Sequence, residues 1–205
     1  MEIMTIPVGE FGVNCYLVYE NGRGFAVDPG DDGERVLAEA QKHGITLEAV
    51  LLTHGHFDHI GGVETLRQQG IPCLIGAADA AMLDNEILSG ASFFGLPLLP
   101  TAADKTVTDG ETLTVAGLTL RVIGTPGHTP GGVCYLLNDT LLSGDTLFAG
   151  SVGRWDLPGG DGEQLLESIR EKLLVLPEKT RVLPGHGGET TIENEKKYNY
   201  FVREQ

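Results

Sequence analysis

The feature that most restricts this chain is the heptapeptide THGHFDH, which begins at the end of the apolar run Leu47–Thr53. A short, nearly continuous apolar run of this kind predicts a buried strand. If the backbone stays extended after that strand, His54 and His56 project to the same side and can share one metal ion. As the chain turns toward the following helix, Asp58 and His59 point in another direction and can hold a second ion. The spacing therefore predicts two adjacent metal sites.

Two other interpretations of this segment are open. The four side chains are polar loop residues beside a glycine-rich turn, or they form a single structural metal site. A structural site normally closes its coordination with four protein ligands, often cysteine thiolates. The heptapeptide contains no cysteine, which favours catalytic sites over a structural one.

Three more ligand-type residues stand at the ends of apolar strands, flanked by Gly or Pro: His128 in TPGHTPGG, Asp145 in SGDTLF and His186 in LPGHGG. Small flanking residues let the backbone approach an ion and adopt strained turns. Asp145 can bridge two ions through its two oxygens, while His128 completes a set of three imidazoles and His186 joins the second site. A solvent molecule shared by the ions can have its pKa lowered toward about 7, and the ions can polarise a substrate carbonyl. The sixth histidine, His43, lies at the end of a predicted helix and is excluded.

Composition restricts the kind of partner. The 205 residues include 14 basic and 29 acidic side chains, for a formal net charge of −15, and no stretch gathers Lys and Arg into a stripe that follows a phosphate backbone. We therefore expect no nucleic-acid partner. The start MEIMTIPVGEF has no basic stretch followed by a long apolar run, and the apolar runs are far shorter than a membrane span. We expect a cytoplasmic protein without a membrane partner, whose odd number of cysteines stays reduced and buried.

The order of apolar runs and turn residues predicts the secondary structure. Strands are predicted at Glu2–Val8, Val13–Glu20, Gly24–Asp28 and Leu47–Thr53, with an Asn21-Gly22 turn, and then at 105–117, 118–125, 132–138, 140–145 and Thr180–Leu183. Helices are predicted at 33–44, 63–70, Gly162–Leu176 and Thr190–Asn199, with a helix and a mobile loop between Ala77 and Pro100. From Lys105 onward the strands are expected to form a second sheet.

The motifs NCYLV, DPG, THGHFDHIGG, TPGHTPGG, SGDTLF and LPGHGG occur in this order over nearly the whole chain. Together they resemble the metallo-β-lactamase superfamily, and within it the compact glyoxalase II (hydroxyacylglutathione hydrolase)-like branch. The resemblance implies an α/β fold, a four-layer αβ/βα sandwich in which helices flank two mixed sheets, with the site at one edge. We expect residues 1–205 to form a single such domain, without the extra C-terminal helical domain of full-length glyoxalase II.

The resemblance also implies how the ligands divide between two ions that share one bridging carboxylate. One ion is expected on His54, His56, His128 and Asp145, and the other on Asp58, His59, His186 and Asp145. We expect two divalent ions, zinc first, with iron or manganese as alternatives. A hydroxide that bridges them is expected to act in catalysis together with Asp58.

The leading hypothesis for function is hydrolysis of a small-molecule thioester such as an S-2-hydroxyacylglutathione. The bridging hydroxide attacks the carbonyl, and a thiolate leaves. The segment Gly150–Asp161 resembles that of the compact glyoxalase II-like proteins, and Arg154 lies where a basic residue meets the substrate in that branch. Arg154 can pair with a glutathione carboxylate or a hydroxyacid end, or it forms a salt bridge to Asp156 or Asp161. Since the helical domain supplies much of the glutathione site in glyoxalase II, the thiol carrier stays open.

Other functions of this fold remain as alternatives. A persulfide dioxygenase, an oxidoreductase, uses one iron held by two His and one Asp, by motif position His54, His128 and Asp145. The GRWDLPGG segment favours the hydrolase. A lactonase or another ester hydrolase is a third alternative, whereas lactamases with a Cys ligand are disfavoured because they place that Cys where Asp145 stands. A binding module without activity predicts the loss of a ligand, and none is missing. The oligomeric state is left open.

Overall fold

The computed structural model describes residues 1–203, and two six-stranded sheets form its centre. The first sheet has the order β1-β2-β3-β4-β5-β6. Its strands are β1 (Glu2–Val8), β2 (Val13–Glu20), β3 (Arg23–Val27), β4 (Thr46–Leu51), β5 (Cys73–Gly76) and β6 (Lys105–Val107). The first three strands are antiparallel neighbours, and β3 to β6 are parallel. The Asn21-Gly22 turn has positive φ at both residues, as a tight hairpin between β2 and β3 requires.

The second sheet is also mixed. The strands that follow β6 are β7 (Thr112–Val115), β8 (Leu118–Gly124), β9 (Val133–Leu137), β10 (Thr140–Gly144), β11 (Leu147–Phe148), β12 (Ser151–Val152), β13 (Arg181–Pro184) and β14 (Thr190–Thr191). The sheet has the order β14-β13-β10-β9-β8-β7, and β11 and β12 form a small separate hairpin. The β10–β13 pair is parallel, and the other pairs of this sheet are antiparallel.

Short helices cover the outer faces of the sheets. They are α1 (Gly33–Lys42), α2 (Phe57–Ile60), α3 (Val63–Arg67), α4 (Ala91–Phe94), α5 (Gly162–Ser168) and α6 (Ile192–Tyr198). A 3-10 segment spans Ala77–Asp84, and a π-helical stretch, Ile169–Leu173, continues α5. Within residues 1–203, no helix combines the length and the apolar character that crossing a membrane requires.

The alternation of side chains along the strands explains the layers. On β4, Val50 packs in a cluster with Val36 of α1 and residues of α3, whereas its neighbour Leu51 packs in a second cluster with residues of both sheets. A third cluster joins the outer face of the second sheet to Leu165 of α5 and Ile192 of α6. The layers therefore run helix, sheet, sheet, helix, and the expected four-layer sandwich is confirmed.

One predicted strand lies in the other sheet. The expectation that the strands from Lys105 onward form the second sheet is wrong for β6, which pairs in parallel with β5. The carboxylate of Asp104, just before β6, accepts a hydrogen bond from the backbone N–H of Cys73 at 2.8 Å and so ties β6 to the start of β5. The Asp109-Gly110 turn consequently carries the chain from one sheet to the other and does not close a hairpin between paired strands.

Three other segments differ from their prediction in detail. The predicted final helix Thr190–Asn199 begins with two strand residues, because Thr190 and Thr191 pair with β13. The predicted helix Gly162–Leu176 is α-helical to Ser168 and π-helical beyond it. The region between Ala77 and Pro100 contains the 3-10 segment and the four-residue α4 in place of one longer helix.

Candidate metal centre

The seven predicted ligands meet at one edge of the sandwich. Five of them follow the carboxyl end of a strand: His54 and His56 follow β4, His128 follows β8, Asp145 follows β10 and His186 follows β13. The remaining two lie on α2, which begins directly after the first two histidines. The topology thus gathers residues from most of the chain into one cluster.

The first group consists of His54, His56 and His128, all of which are buried. One ligand-type nitrogen from each lies within 4.8 Å of the others. Nδ1 of His56 and Nε2 of His128 face each other at 2.9 Å. Two imidazole nitrogens at this distance need a shared proton or a cation between them. The group therefore has the composition and spacing of a three-imidazole site.

The second group consists of Asp58, His59 and His186. Nε2 of His59 lies 3.7 Å from Oδ2 of Asp58, and Nε2 of His186 lies 3.4 Å from the same oxygen. Asp145 lies between the two groups. Its Oδ1 is 3.4 Å from Nε2 of His59, and its Oδ2 is 3.5 Å from Nε2 of His186 and 3.8 Å from Nε2 of His128. One carboxylate thus faces ligand-type atoms of both groups.

Unsatisfied polar atoms show that this cluster fits metal ions. Within the described part of the chain, the buried Nε2 atoms of His54, His56 and His59 and Oδ1 of Asp145 have no hydrogen-bond partner. Buried polar atoms without a partner are rare in folded proteins because their desolvation is not compensated. A mixed imidazole and carboxylate set suits zinc, iron or manganese. The residues present therefore fit divalent metal ions, without selecting one element.

The buried histidines of the centre differ in the direction in which their pKa is shifted. Burial, followed by the charges of neighbouring histidines such as His59 and His128, holds the pKa of His54 well below its usual range. Burial also lowers the pKa of His56. For His59, burial opposes protonation, but the charges of Asp145, Asp58 and Asp28 outweigh it and raise the pKa to about 10. His54 and His56 thus offer neutral imidazoles, whereas at His59 a metal ion competes with a proton.

Residues 8–186 match the family model described as "Metallo-beta-lactamase superfamily". The chain belongs to the metallo-β-lactamase superfamily. Relatives include the "Probable metallo-hydrolase YqgX" of Bacillus subtilis, 38% identical, with 98% of each chain covered. The "Hydroxyacylglutathione hydrolase GloC" of Haemophilus influenzae is 36% identical, again with 98% of each chain covered. The predicted resemblance to this superfamily is confirmed.

Solved structures agree with this assignment. The BLEG-1 B3 metallo-β-lactamase superposes with a TM-score of 0.95 at 40% identity, covering 98% of this chain and 99% of that one. TTHA1623 in a di-iron-bound form gives a TM-score of 0.89 at 37% identity, covering 97% of this chain and 100% of that one. ETHE1 from Myxococcus xanthus gives a TM-score of 0.84 at 28% identity, covering 98% of this chain and 84% of that one.

In this member of the superfamily, Asp28 orients His59. Asp28 is buried at the end of β3, and its Oδ2 is 2.9 Å from Nδ1 of His59. The same carboxylate accepts hydrogen bonds from the backbone N–H of Thr53 at 2.8 Å and from its hydroxyl at 2.6 Å. Such partners fix the ring orientation and tautomer of a metal-binding histidine. Asp28 belongs to the DPG motif of the sequence but was not among the predicted site residues.

Asp79 ties two ligand loops together, and the sequence analysis missed it. Its buried carboxylate accepts hydrogen bonds from the backbone N–H of Gly55 at 3.0 Å, from the hydroxyl of Thr129 at 2.7 Å and from the backbone N–H of Gly131 at 2.6 Å. Gly55 lies between the first two histidines of the motif, and Thr129 directly follows His128. Burial raises the pKa of Asp79, and these three hydrogen bonds oppose the rise. A single carboxylate therefore fixes both loops of the first group.

Two glycines let the ligand loops pack closely. Gly144 precedes Asp145 with φ of 48°, and a Cβ atom there would lie 2.2 Å from the hydroxyl oxygen of Thr53. Gly185 precedes His186, and a Cβ atom there would lie 2.2 Å from Oδ1 of Asp145. The predicted role of small residues beside the ligands, close backbone approach and strained turns, is therefore observed at these positions.

The NCYLV motif holds the loop of His186. Asn14 donates hydrogen bonds through Nδ2 to the carbonyl oxygens of Pro184 at 3.0 Å and Gly187 at 2.9 Å. The hydroxyl of Tyr16 donates to the carbonyl of Pro184 at 2.7 Å. Strand β2 of the first sheet thus fixes a ligand loop of the second sheet.

Arg154 contacts the centre through its backbone. Its carbonyl oxygen is 2.6 Å from Nδ1 of His128, which orients that ring. Its exposed guanidinium makes a two-pronged salt bridge to Asp156, at 2.7 and 2.9 Å, and lies 5.9 Å from the centre of the Phe94 ring. The structure therefore contains the salt bridge to Asp156 that the sequence analysis weighed, and a contact of Arg154 with substrate stays a prediction.

Proposed function

We propose that this protein is a binuclear metal-dependent hydrolase that cleaves a small-molecule thioester in the cytoplasm. The observation that carries the proposal is the position of Asp145, whose two oxygens face both ligand groups at 3.4 to 3.8 Å. A shared carboxylate is the arrangement by which two ions are held next to each other. The name of the Haemophilus influenzae relative, a hydroxyacylglutathione hydrolase, supports a thioester as the substrate.

In this proposal six ligands belong to one ion each, and the seventh is shared by both ions. One ion would be held by His54, His56 and His128, the other by Asp58, His59 and His186, and both by Asp145. Two bound divalent ions would supply a water of lowered pKa and would polarise the substrate carbonyl. Zinc is the first expectation, and iron is an open alternative because the similar TTHA1623 is described in a di-iron-bound form.

The side chains of the centre keep the reacting groups in place. Burial alone would raise the pKa of Asp58, but the charge of His59 and the hydrogen bond to His186 outweigh it and hold the pKa well below its usual range. Asp58 therefore stays ionised and can accept a hydrogen bond from the attacking water, which orients it toward the carbonyl. Asp28 orients the ring of His59, and Asp79 fixes the two loops that carry the histidines of the first group. A departing thiolate is a good leaving group, so the site needs no separate general acid.

Arg154 is proposed to bind an anionic end of the thiol carrier. Its guanidinium is 48% exposed and could exchange the exposed carboxylate of Asp156 for that of a substrate. Under this proposal, Arg154→Ala should raise KM for a glutathione thioester about tenfold and leave kcat nearly unchanged. The matched control is Arg121→Ala, because Arg121 is an exposed arginine on β8 of the second sheet.

The test of the proposed function is one preparation, purified without chelator, assayed on several substrates. Hydrolysis of S-lactoylglutathione by the wild type, reduced at least a hundredfold in Asp58→Ala but not in the exposed Asp84→Ala, is the expected result. Oxygen consumption with glutathione persulfide and no thioester cleavage would contradict the hydrolase and favour the dioxygenase. Cleavage of a β-lactam alone would also contradict it, and that substrate is included because BLEG-1 is described as a B3 metallo-β-lactamase.

A further inference from the structure

A cavity of about 540 Å³ opens beside the metal centre. It lies between the turn after β1, the start of α2 and the segment that follows α4, and Asp58 is one of its lining residues. Its volume is within the range of small-molecule sites. The proposed reaction places the thioester carbonyl at the metals, so one arm of the substrate can extend into this cavity.

The walls of the cavity are mainly apolar. Phe11, Phe57, Leu96, Leu98 and Leu99 line it. Phe11 and Phe57 contact each other edge to face with ring centroids 5.2 Å apart. Phe11 is nevertheless 41% exposed and Leu99 is 53% exposed. Exposed apolar side chains concentrated in a groove next to a reaction centre are typical of a ligand-binding surface, because burying them against an apolar ligand is favourable.

The charge of the cavity is negative. Apart from Asp58, which the proposed function assigns to a metal ion, the ionisable side chains that line it are Glu10 and Asp31, and no Lys, Arg or His of the described residues does so. Burial, followed by the charges of Asp32 and Glu10, raises the pKa of Asp31, which reflects how poorly this region accommodates negative charge. The carboxylates of a glutathione carrier would be repelled here, whereas the guanidinium of Arg154 lies 5.9 Å from the centre of the Phe94 ring, which packs against Phe11 of the cavity wall.

We propose that this cavity binds the acyl arm of the substrate and selects uncharged, apolar acyl groups of medium length, while the thiol carrier extends toward Arg154. The inference rests on the proposed function and names its substrate class. Full burial of one methylene group raises kcat/KM roughly fourfold. We therefore expect kcat/KM to rise about two- to fourfold per methylene from acetyl to hexanoyl.

The test is a series of S-acylglutathiones with acetyl, butanoyl, hexanoyl and glutaryl groups. The expected order in kcat/KM is hexanoyl, butanoyl, acetyl, with glutaryl at least tenfold below butanoyl because its terminal carboxylate meets the acidic lining. Phe11→Ala and Leu99→Ala should flatten the dependence on chain length, because kcat/KM for the hexanoyl substrate should fall more than kcat/KM for the acetyl substrate. The matched control is Phe93→Ala, because Phe93 is 63% exposed and lies outside the cavity lining. A flat wild-type series, or a series that neither cavity variant alters, would overturn the inference.

A binding measurement separates this inference from the proposed function. Saturation-transfer NMR with neutral hexanamide and acetamide should show contact of hexanamide with the wild type, weakened in Phe11→Ala and unchanged in Phe93→Ala. If no thioester is cleaved but hexanamide binds in this pattern, the proposed function fails and the apolar cavity stands. If thioesters are cleaved but hexanamide binding is absent or equal in all variants, the cavity assignment is wrong.

Discussion

Removing the carboxylate of Asp79 should loosen both loops that carry the three-histidine group. The side chain is buried and accepts hydrogen bonds from Gly55, Thr129 and Gly131 at 2.6 to 3.0 Å. Because Asp79 touches none of the proposed ligands through its own carboxylate, its effect on the metal centre must pass through these three partners. Asp79 is therefore a positioning residue. Asp79→Ala and Asp79→Asn should show a larger and a smaller loss of stability.

The magnitudes follow from the number of partners. Asp79→Ala leaves three donors without an acceptor, and each buried unsatisfied donor costs about 1–3 kcal/mol, so the free energy of unfolding should fall by about 3 kcal/mol or more. Asp79→Asn keeps one acceptor oxygen but turns an amide N–H toward a donor, which should cost about 1–3 kcal/mol. For a chain of this size that loss corresponds to roughly 3–10 °C in Tm. Partners of this kind change metal affinity or activity by about 10–100-fold.

The assay combines thermal unfolding with metal affinity and kinetics on the isosteric Asp79→Asn variant. A competition titration with a chromophoric chelator gives the affinity of each ion, and S-lactoylglutathione hydrolysis gives kcat. The matched control is Asp84→Asn, since Asp84 lies on the same 3-10 segment but is exposed. The expected pattern is a loss of affinity concentrated on one of the two ions. If Asp79→Asn matches Asp84→Asn in Tm, metal affinity and kcat, the argument from these hydrogen bonds is refuted.

Three further predictions concern the backbone, the protons and the thiols. Gly144→Ala places a Cβ atom 2.2 Å from the hydroxyl oxygen of Thr53, at a residue with φ of 48°. It should therefore lower Tm and metal content more than Gly150→Ala, where φ is 73° and no atom lies within 4 Å of the added Cβ. Equal losses in the two variants would contradict the packing argument. The pKa of His59 is raised from 6.5 to about 10, so its proton stays bound below that pH and metal binding must displace it. The affinity for an ion at this residue should therefore rise about tenfold per pH unit between pH 7 and 9, with proton release measured by calorimetry in buffers of different ionisation enthalpy. An affinity that does not change with pH would refute this prediction. Burial raises the pKa of all three cysteine thiols. Ellman's reagent should therefore react with no thiol in the native protein and with three after denaturation. Rapid reaction of a thiol in the native protein would contradict this burial.

Much of the centre could be predicted because the chemistry is concentrated in short segments. Residues 54 to 59 carry four residues of metal-ligand type within six positions after an apolar run, and this local signal needs no knowledge of distant contacts. The three later residues of the cluster were predicted because each combines a strand end with flanking Gly or Pro. Position at a strand end is informative because the loops that follow the carboxyl ends of these strands lie at one edge of the sandwich. The three free, buried cysteines were also predicted correctly.

The supporting residues were harder to predict because their partners are distant in sequence. The carboxylate of Asp79 binds a hydroxyl 50 residues later in the chain, and its local sequence, GAADAAM, is that of an ordinary helix start. The prediction that β6 belongs to the second sheet failed for the same reason. A three-residue strand that is tied to β5 through Asp104 has no local pattern to distinguish it from a hairpin strand. Which sheet a strand joins is decided by such long-range contacts and not by the β-propensity of its residues.

The most direct test of the central claim is a metal titration of the wild type in which bound ions per chain and S-lactoylglutathione hydrolysis are measured on the same samples. With two ions held by seven ligands, activity should rise with metal content and level off near two ions per chain, and His186→Ala should bind one ion tightly and retain little activity. Activity that is complete at one ion per chain, or thioester cleavage that is independent of metal content, would contradict the two-metal account.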